Sequence, residues 1–248
     1  MARTSQRPAH GDPDTAAYFD DHTHEYSVGR LRRAVEFIRQ HRTPDATLVD
    51  IGCGTGNVLA HIKRHTDLHA VVGLDVSERS LQITREQVGA EVHLASVLDD
   101  STVERFGERF DFAIMAAVLH HLVEPTRRRS LHTAFHGVHN AVRLVRPGGY
   151  LIVIEPTFTP SAPLTALFWT KTLLSKLFHR RLALGSYWNN VGAPVVSYYS
   201  RDHVLAMVRA QPIARVVLED NAPQPLSRLA AQVVTKSNTT VVAQRTGS

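Results

Sequence analysis

The chain of 248 residues is 43% hydrophobic and 21% charged, the balance of a globular protein at the upper end of one domain. It holds no apolar run near the roughly 20 residues that span a bilayer and no apolar core in the leading segment MARTSQRPAHGDPDTAAY. Its lone Cys53 excludes an internal disulfide and suits a reducing, cytoplasmic setting. The formal charge of +5 raises nucleic acid as a partner, but Lys and Arg are scattered among acids without interleaved aromatics, which argues against it.

Residues 1–14 are polar, hold two prolines and a glycine, and read as a disordered tail before a domain over 15–248. Val28, Leu31, Val35 and Ile38 recur at helical spacing and predict an amphipathic helix over about 27–41. TLVDI (47–51) reads as a strand, followed by a helix from about 57 to 65. AVVGLD (70–75) is a second strand, and SERSLQITREQ a helix with Ser77 as its N-cap. EVHL (91–94) and FDFAIMA (110–116) are the third and fourth strands; the helix RRSLHTAFHGVHNAVRLV follows. RPGG (146–149) breaks the chain before the fifth strand, YLIVIE (150–155). The alternation then lapses until a helix near 201–210 and two strands, ARVVLE (214–219) and TTVVAQ (239–244). Apolar strands separated by helices predict a parallel sheet covered on both faces, with an insertion of about 157–200 between strands five and six.

The first strand runs into three glycines on alternate positions, in LVDIGCGTGN. Placed after a buried strand, such a loop permits a tight turn and close backbone approach to a ligand. A dinucleotide fingerprint needs G-x-G-x-x-G with a helix N-terminus at the pyrophosphate; here Asn57 stands where the third glycine should be. S-adenosylmethionine (SAM) has no phosphate and no such requirement, so the spacing leans towards SAM. Asp75, ending the second strand, is placed to accept ribose hydroxyls of either ligand.

On VDIGCGTGN, GLDVSERSL, FDFAIMAAVLHHL and VRPGGYLIVIEP, which occur in the family's order and spacing over about residues 45–157, the chain resembles the class I SAM-dependent methyltransferases. The resemblance implies an α/β, three-layer Rossmann-like fold. Its sheet would be seven-stranded and mainly parallel, of order 3-2-1-4-5-7-6 with the last strand antiparallel, and a helical insertion would lie between strands 5 and 6. It also implies SAM as cofactor, with Asp50, Gly52, Gly54 and Gly56 along its methionine part, Asp75 on its ribose and Val76 against its adenine. Cys53 would be a small residue fitting the loop rather than a reactive thiol. The family often carries an acid after the third strand to meet the adenine amino group. Here Ser96 holds that position, followed by Val97, with Asp99 as a substitute if the loop is longer.

The methyl group of SAM is already activated, so the protein mainly binds, orients and excludes water. A base is needed only when the acceptor keeps its proton. His120 and His121 follow the fourth strand and are the candidates, set against a packing role for the LHHL segment; Glu155 is a further candidate for touching or deprotonating the acceptor. His132, His136 and His139 share one side of a helix, but no carboxylate or cysteine completes a metal set, and Leu131, Phe135, Val138 and Val142 mark the buried stripe, so no metal is expected.

In the insertion, Leu164, Leu167, Phe168, Leu174, Leu177, Phe178 and Leu182 approximate one helical face. That face is read as a lid over an apolar acceptor, a membrane-surface contact, or packing onto the sheet. Tyr187, Trp188, Tyr198 and Tyr199 are candidates for an aromatic pocket, and Tyr18, Phe19 and Tyr26 for a cover over the cofactor. The expected activity is methyl transfer from SAM to an O, N or C atom of a small, largely apolar acceptor such as a secondary metabolite. The alternatives are a lipid or quinone methyltransferase at a membrane surface, a tRNA methyltransferase, and a non-catalytic SAM-binding module. The position of the NPPY-type segment found in methyltransferases of bases and proteins reads MAAV here. The oligomeric state is open.

Overall fold

Hydrophobic periodicity alternates between two and 3.6 along the chain, and the elements follow it. The computed structural model describes residues 28–177, 196–226 and 234–247; the tail, Tyr18, Phe19, Tyr26, Phe178, Leu182, Tyr187 and Trp188 lie outside them. A 3₁₀ turn, Val28–Leu31, leads into α1, Arg32–His41. Then come β1 (Thr47–Ile51), α2 (Asn57–Thr66), β2 (Ala70–Asp75), α3 (Glu78–Val88) and β3 (Glu91–Leu94). The chain continues through α4 (Asp100–Phe106), β4 (Phe110–Ala116), α5 (Arg127–Leu144) and β5 (Val145–Thr159). It ends with α6 (Ala162–Leu177), α7 (Arg201–Arg209), β6 (Ala214–Gln224) and β7 (Thr235–Arg245).

The seven strands lie in the order β3-β2-β1-β4-β5-β7-β6, all parallel except β7, which runs against both β5 and β6. Right-handed crossovers put successive helices on one face until the strand order reverses between β1 and β4, after which they cover the other face. Leu31, Ile38, Leu59, Ile62 and Leu81, from α1 to α3 and the turn before them, fill one side against Leu48, Ile114 and Ile152. Phe106, Ala134, Val138, Val204 and Val208, from α4, α5 and α7, fill the other against Val49, Met115 and Val153. Each fully buried Leu, Ile or Val contributes about 1.5–3 kcal/mol, so these two layers hold the carboxyl ends of the strands in fixed register.

Three elements differ from the sequence reading. Helix α4 fills the stretch between β3 and β4, where the sequence reading places no element; only Thr102, Val103 and Phe106 are buried in it. RPGG does not break the chain but forms the start of β5, whose pairing with β4 shifts register between Phe110 and Phe112. A side chain at Gly149 would stand 2.6 Å from the Asp111 carbonyl oxygen, so only glycine passes there. Finally, β5, β6 and β7 run several residues past their apolar cores. Across this extension Thr157 and Thr239 hydroxyls meet at 2.7 Å, and Thr239 donates to the Asn221 side chain at 2.9 Å. After α6 the insertion returns through Val196 to Ser200 beside β5, where Thr157 bridges to Tyr199 and Phe158 N–H donates to the Tyr199 carbonyl at 3.1 Å.

Candidate functional site

The glycine loop turns back onto the end of β2. Gly52 and Cys53 N–H groups both donate to the Leu74 carbonyl, at 2.7 and 3.0 Å. This tight turn requires φ of +71°, +53° and +82° at Gly52, Gly54 and Gly56, a region that costs other residues about 1–2 kcal/mol. The three glycines nevertheless have different surroundings. A methyl group at Gly52 would meet Val118 at 2.8 Å, and one at Gly56 would meet Val88 and Thr84 at 2.7 and 2.9 Å, whereas one at Gly54 would enter open space. Gly52 and Gly56 therefore let elements pack, and Gly54 leaves a bare backbone facing the cleft. Cys53 is turned inward against Gly73 of β2, and burial pushes its thiol far up, which removes thiolate character.

Asp75 is held by the loop it faces. Its Oδ2 accepts the Gly54 N–H at 2.8 Å and its Oδ1 the Ser77 N–H at 2.9 Å; Thr84 Oγ1 donates to the Gly54 carbonyl at 2.8 Å. These bonds fix the Asp75 carboxyl group against the glycine loop. Val76 is half-buried beside it. Ser96 is buried, its Oγ accepting the Leu98 N–H at 3.2 Å, and Val97 packs in the core with its carbonyl taken by Asn140 at 2.9 Å. The loop, Asp75 and Val76 are thus brought together at one sheet edge. Val97 instead contributes its side chain to the layer under α5.

Asp50 closes the floor. It is 1% exposed, and its Oδ2 has no hydrogen-bond partner among the described residues. Burial, and next the neighbouring charge of Asp75, push its carboxyl well above the ordinary range, while Arg30 pulls it down. A buried carboxyl oxygen of this kind calls for a cation or a donor from a ligand. SAM, which offers a sulfonium and an ammonium group, fits the residues present: a bare Gly54, a floor with an open carboxyl oxygen and a clamped Asp75.

Across the edge, at the end of β4, Leu119–His121 forms a 3₁₀ turn. Glu155, ending the apolar part of β5, has no exposed surface; it accepts the Leu119 N–H on Oε1 at 2.6 Å and faces His120 Nδ1 with Oε2 at 2.8 Å. Burial pushes the Glu155 carboxyl up to about 8, against the downward pull of backbone N–H groups of this turn and of Arg30. The His121 ring lies 4.0 Å from that of His120 and Tyr198 stacks on His120 at 5.4 Å, with Phe158 tilted against Tyr198 at 4.9 Å. Ser197 N–H donates to the His120 carbonyl at 2.9 Å, and Arg127 to the Tyr198 carbonyl at 3.0 Å. Tyr199, in contrast, is turned into the core with its hydroxyl on the Ser130 carbonyl. Along α5, His139 meets Gln211 and His136 faces Asp100 at 4.0 Å.

Sequence reasoning did not single out Arg30. Its guanidinium lies close enough to draw down both Asp50 and Glu155, yet it belongs to no motif. The only available signal was a cation on the cleft-facing end of the first predicted helix.

A family model described as a methyltransferase domain matches residues 49–151, which takes in the glycine loop, Asp75 and the histidine turn. A ubiquinone biosynthesis O-methyltransferase of Alkalilimnicola ehrlichii is 28% identical over 134 residues, covering 52% of this chain; the aligned stretch spans about half of that relative, 49%. Among solved structures, a SAM-dependent methyltransferase from Anabaena variabilis aligns over 99% of both chains with a TM-score of 0.64 at 14% identity. The geranyl diphosphate C-methyltransferase of Streptomyces coelicolor aligns over 96% of this chain and all of its own, with a TM-score of 0.61 at 15% identity.

Proposed function

We propose that this chain, whose residues 49–151 match a methyltransferase-domain model and whose fold is that of solved SAM-dependent methyltransferases, takes SAM as its cofactor and methylates a small, largely apolar acceptor whose nucleophilic atom arrives protonated, with His120 as general base. Bound SAM supplies a methyl group on a sulfonium leaving group. Asp50 and the Gly52–Gly56 loop hold its methionine part, with Arg30 as the cation for the carboxylate. Asp75 holds the ribose, with Val76 beside the adenine; Ser96 takes part through its backbone. Cys53 fills the loop, and His121 packs against the base. The insertion chooses the acceptor, and Tyr198 and Phe158 offer it aromatic faces. Two relatives, named for ubiquinone biosynthesis and for geranyl diphosphate, support an acceptor with an apolar body.

The observation that carries this reading is the His120–Glu155 pair. A buried carboxylate accepting from Nδ1–H fixes the imidazole tautomer, so that Nε2 handles the acceptor's proton. An acceptor that ionises by itself would have no use for such a pair.

The test is formation of S-adenosylhomocysteine from SAM with a panel of phenols, carboxylic acids, amines and quinols. With an accepted compound, His120→Ala is expected to lose about 10²–10⁴ in kcat/KM while SAM affinity, measured by calorimetry, stays unchanged. Intact turnover in His120→Ala would remove the base from the mechanism.

A further inference from the structure

Helix α6 is inverted relative to an ordinary surface helix. Leu164 and Phe168 are buried at 4% and 1% exposure, and the opposite face is expected to be charged. Instead, the exposed positions with known surroundings are Ala162, Thr165, Ala166, Trp169, Thr170 and Leu173. At 100° per residue, Ala162, Ala166, Trp169 and Leu173 fall within one narrow stripe. Trp169 and Leu173 are 50% and 59% exposed. Beside the stripe, the exposed Thr170 donates its Oγ1 to the Ala166 carbonyl at 2.8 Å. The charge of the insertion has one sign in its sequence. From Pro156 to Arg201 the sequence holds five Lys and Arg and no Asp or Glu.

We propose that the Ala162, Ala166, Trp169 and Leu173 face of α6 docks on an anionic phospholipid surface. The apolar stripe enters the acyl boundary, Trp169 sits at headgroup depth, and the acid-free insertion avoids repulsion from lipid phosphates. No described helix is long and apolar enough to cross a membrane, so the contact lies in the plane of the surface. The strand that carries Glu155, β5, leads directly into α6, so the docking helix is joined to the strand that carries part of the site. This surface goes beyond the methylation reading and does not depend on which atom is methylated.

The test is co-sedimentation of the full chain with vesicles of phosphatidylcholine alone and of phosphatidylcholine with phosphatidylglycerol. Binding is expected only to the anionic vesicles, weakening with added salt. It should fall at least about tenfold in the W169S/L173S variant, whose SAM affinity and thermal midpoint stay those of the parent. No binding to anionic vesicles overturns the proposal, as does equal binding by the variant. A concentration-dependent dimer that W169S/L173S dissociates also overturns it, by assigning the face to a second copy.

Discussion

Glu155 and His120 stand 35 residues apart and meet at 2.8 Å, and their pairing sets the pH response. Where the proton on this contact sits decides which ring nitrogen is free. With a single proton the carboxylate accepts from Nδ1–H and Nε2 is the base. With one proton more, whichever group carries it, Nε2 is protonated and idle. With Glu155 pushed up to about 8, kcat/KM should rise with pH through that region, and a flat profile would contradict the pairing. Glu155→Gln keeps an acceptor for Leu119 but turns an amide donor towards Nδ1, forcing the proton onto Nε2. It should cost about 10²–10⁴ in kcat/KM and abolish the pH rise, while Glu155→Asp retains the tautomer and loses less. The same residue links to stability. Its folded value exceeds the ordinary 4.5, so the native state binds the proton more tightly than the unfolded chain, and stability falls as pH rises between those two values. The thermal midpoint of Glu155→Gln relative to the parent should therefore climb with pH across that window.

At the scale of elements, the glycine loop separates into packing and ligand-facing positions. Gly56→Ala drives a methyl into Thr84 and Val88 and should lower the thermal midpoint by several degrees. Gly54→Ala pays only the left-handed backbone, about 1–2 kcal/mol, but points a methyl into the cleft. It should weaken SAM binding at least about tenfold by calorimetry while the protein stays folded, and unchanged affinity would move the cofactor off this loop. Strands β1 to β4 are legible in the sequence because parallel strands buried on both faces are uninterrupted apolar runs. The ends of β5, β6 and β7 are not. There the buried Thr157 and Thr239 hydroxyls meet, with the exposed Asn221 side chain accepting from Thr239, so buried positions carry polar side chains and the alternation disappears. Helix α4 is hidden for a related reason, burying only three side chains in two turns. The loop and Asp75 are readable because their spacing is local, whereas the contact of Glu155 with His120 and the reach of Arg30 exist only once the sheet is assembled.

Across the whole molecule, helix α6, the described helix of the insertion, stands outside the layers that pack the sheet. Leu164 and Phe168 are buried, but neither belongs to the two layers that pack the sheet. The strand that leaves and the segment that returns lie side by side through Thr157 and Tyr199. Residues 161–195 can be replaced by a Gly-Ser linker of about ten residues, enough to run back the roughly 20 Å that the parallel Thr157–Tyr199 pairing puts between its ends. The shortened protein should fold, bind SAM with near-parental affinity and lose acceptor turnover and vesicle binding together; failure to fold would show that the insertion belongs to the core. At the returning end, Ser197 N–H donates to the main-chain carbonyl of His120. In the mechanism proposed above, the part of the chain that selects a molecule and the part that takes its proton thus share one hydrogen bond. A descendant of this protein could therefore acquire a new acceptor by rewriting the outward reach of the insertion, provided it inherited the last few residues unchanged, and the chemistry would come with them.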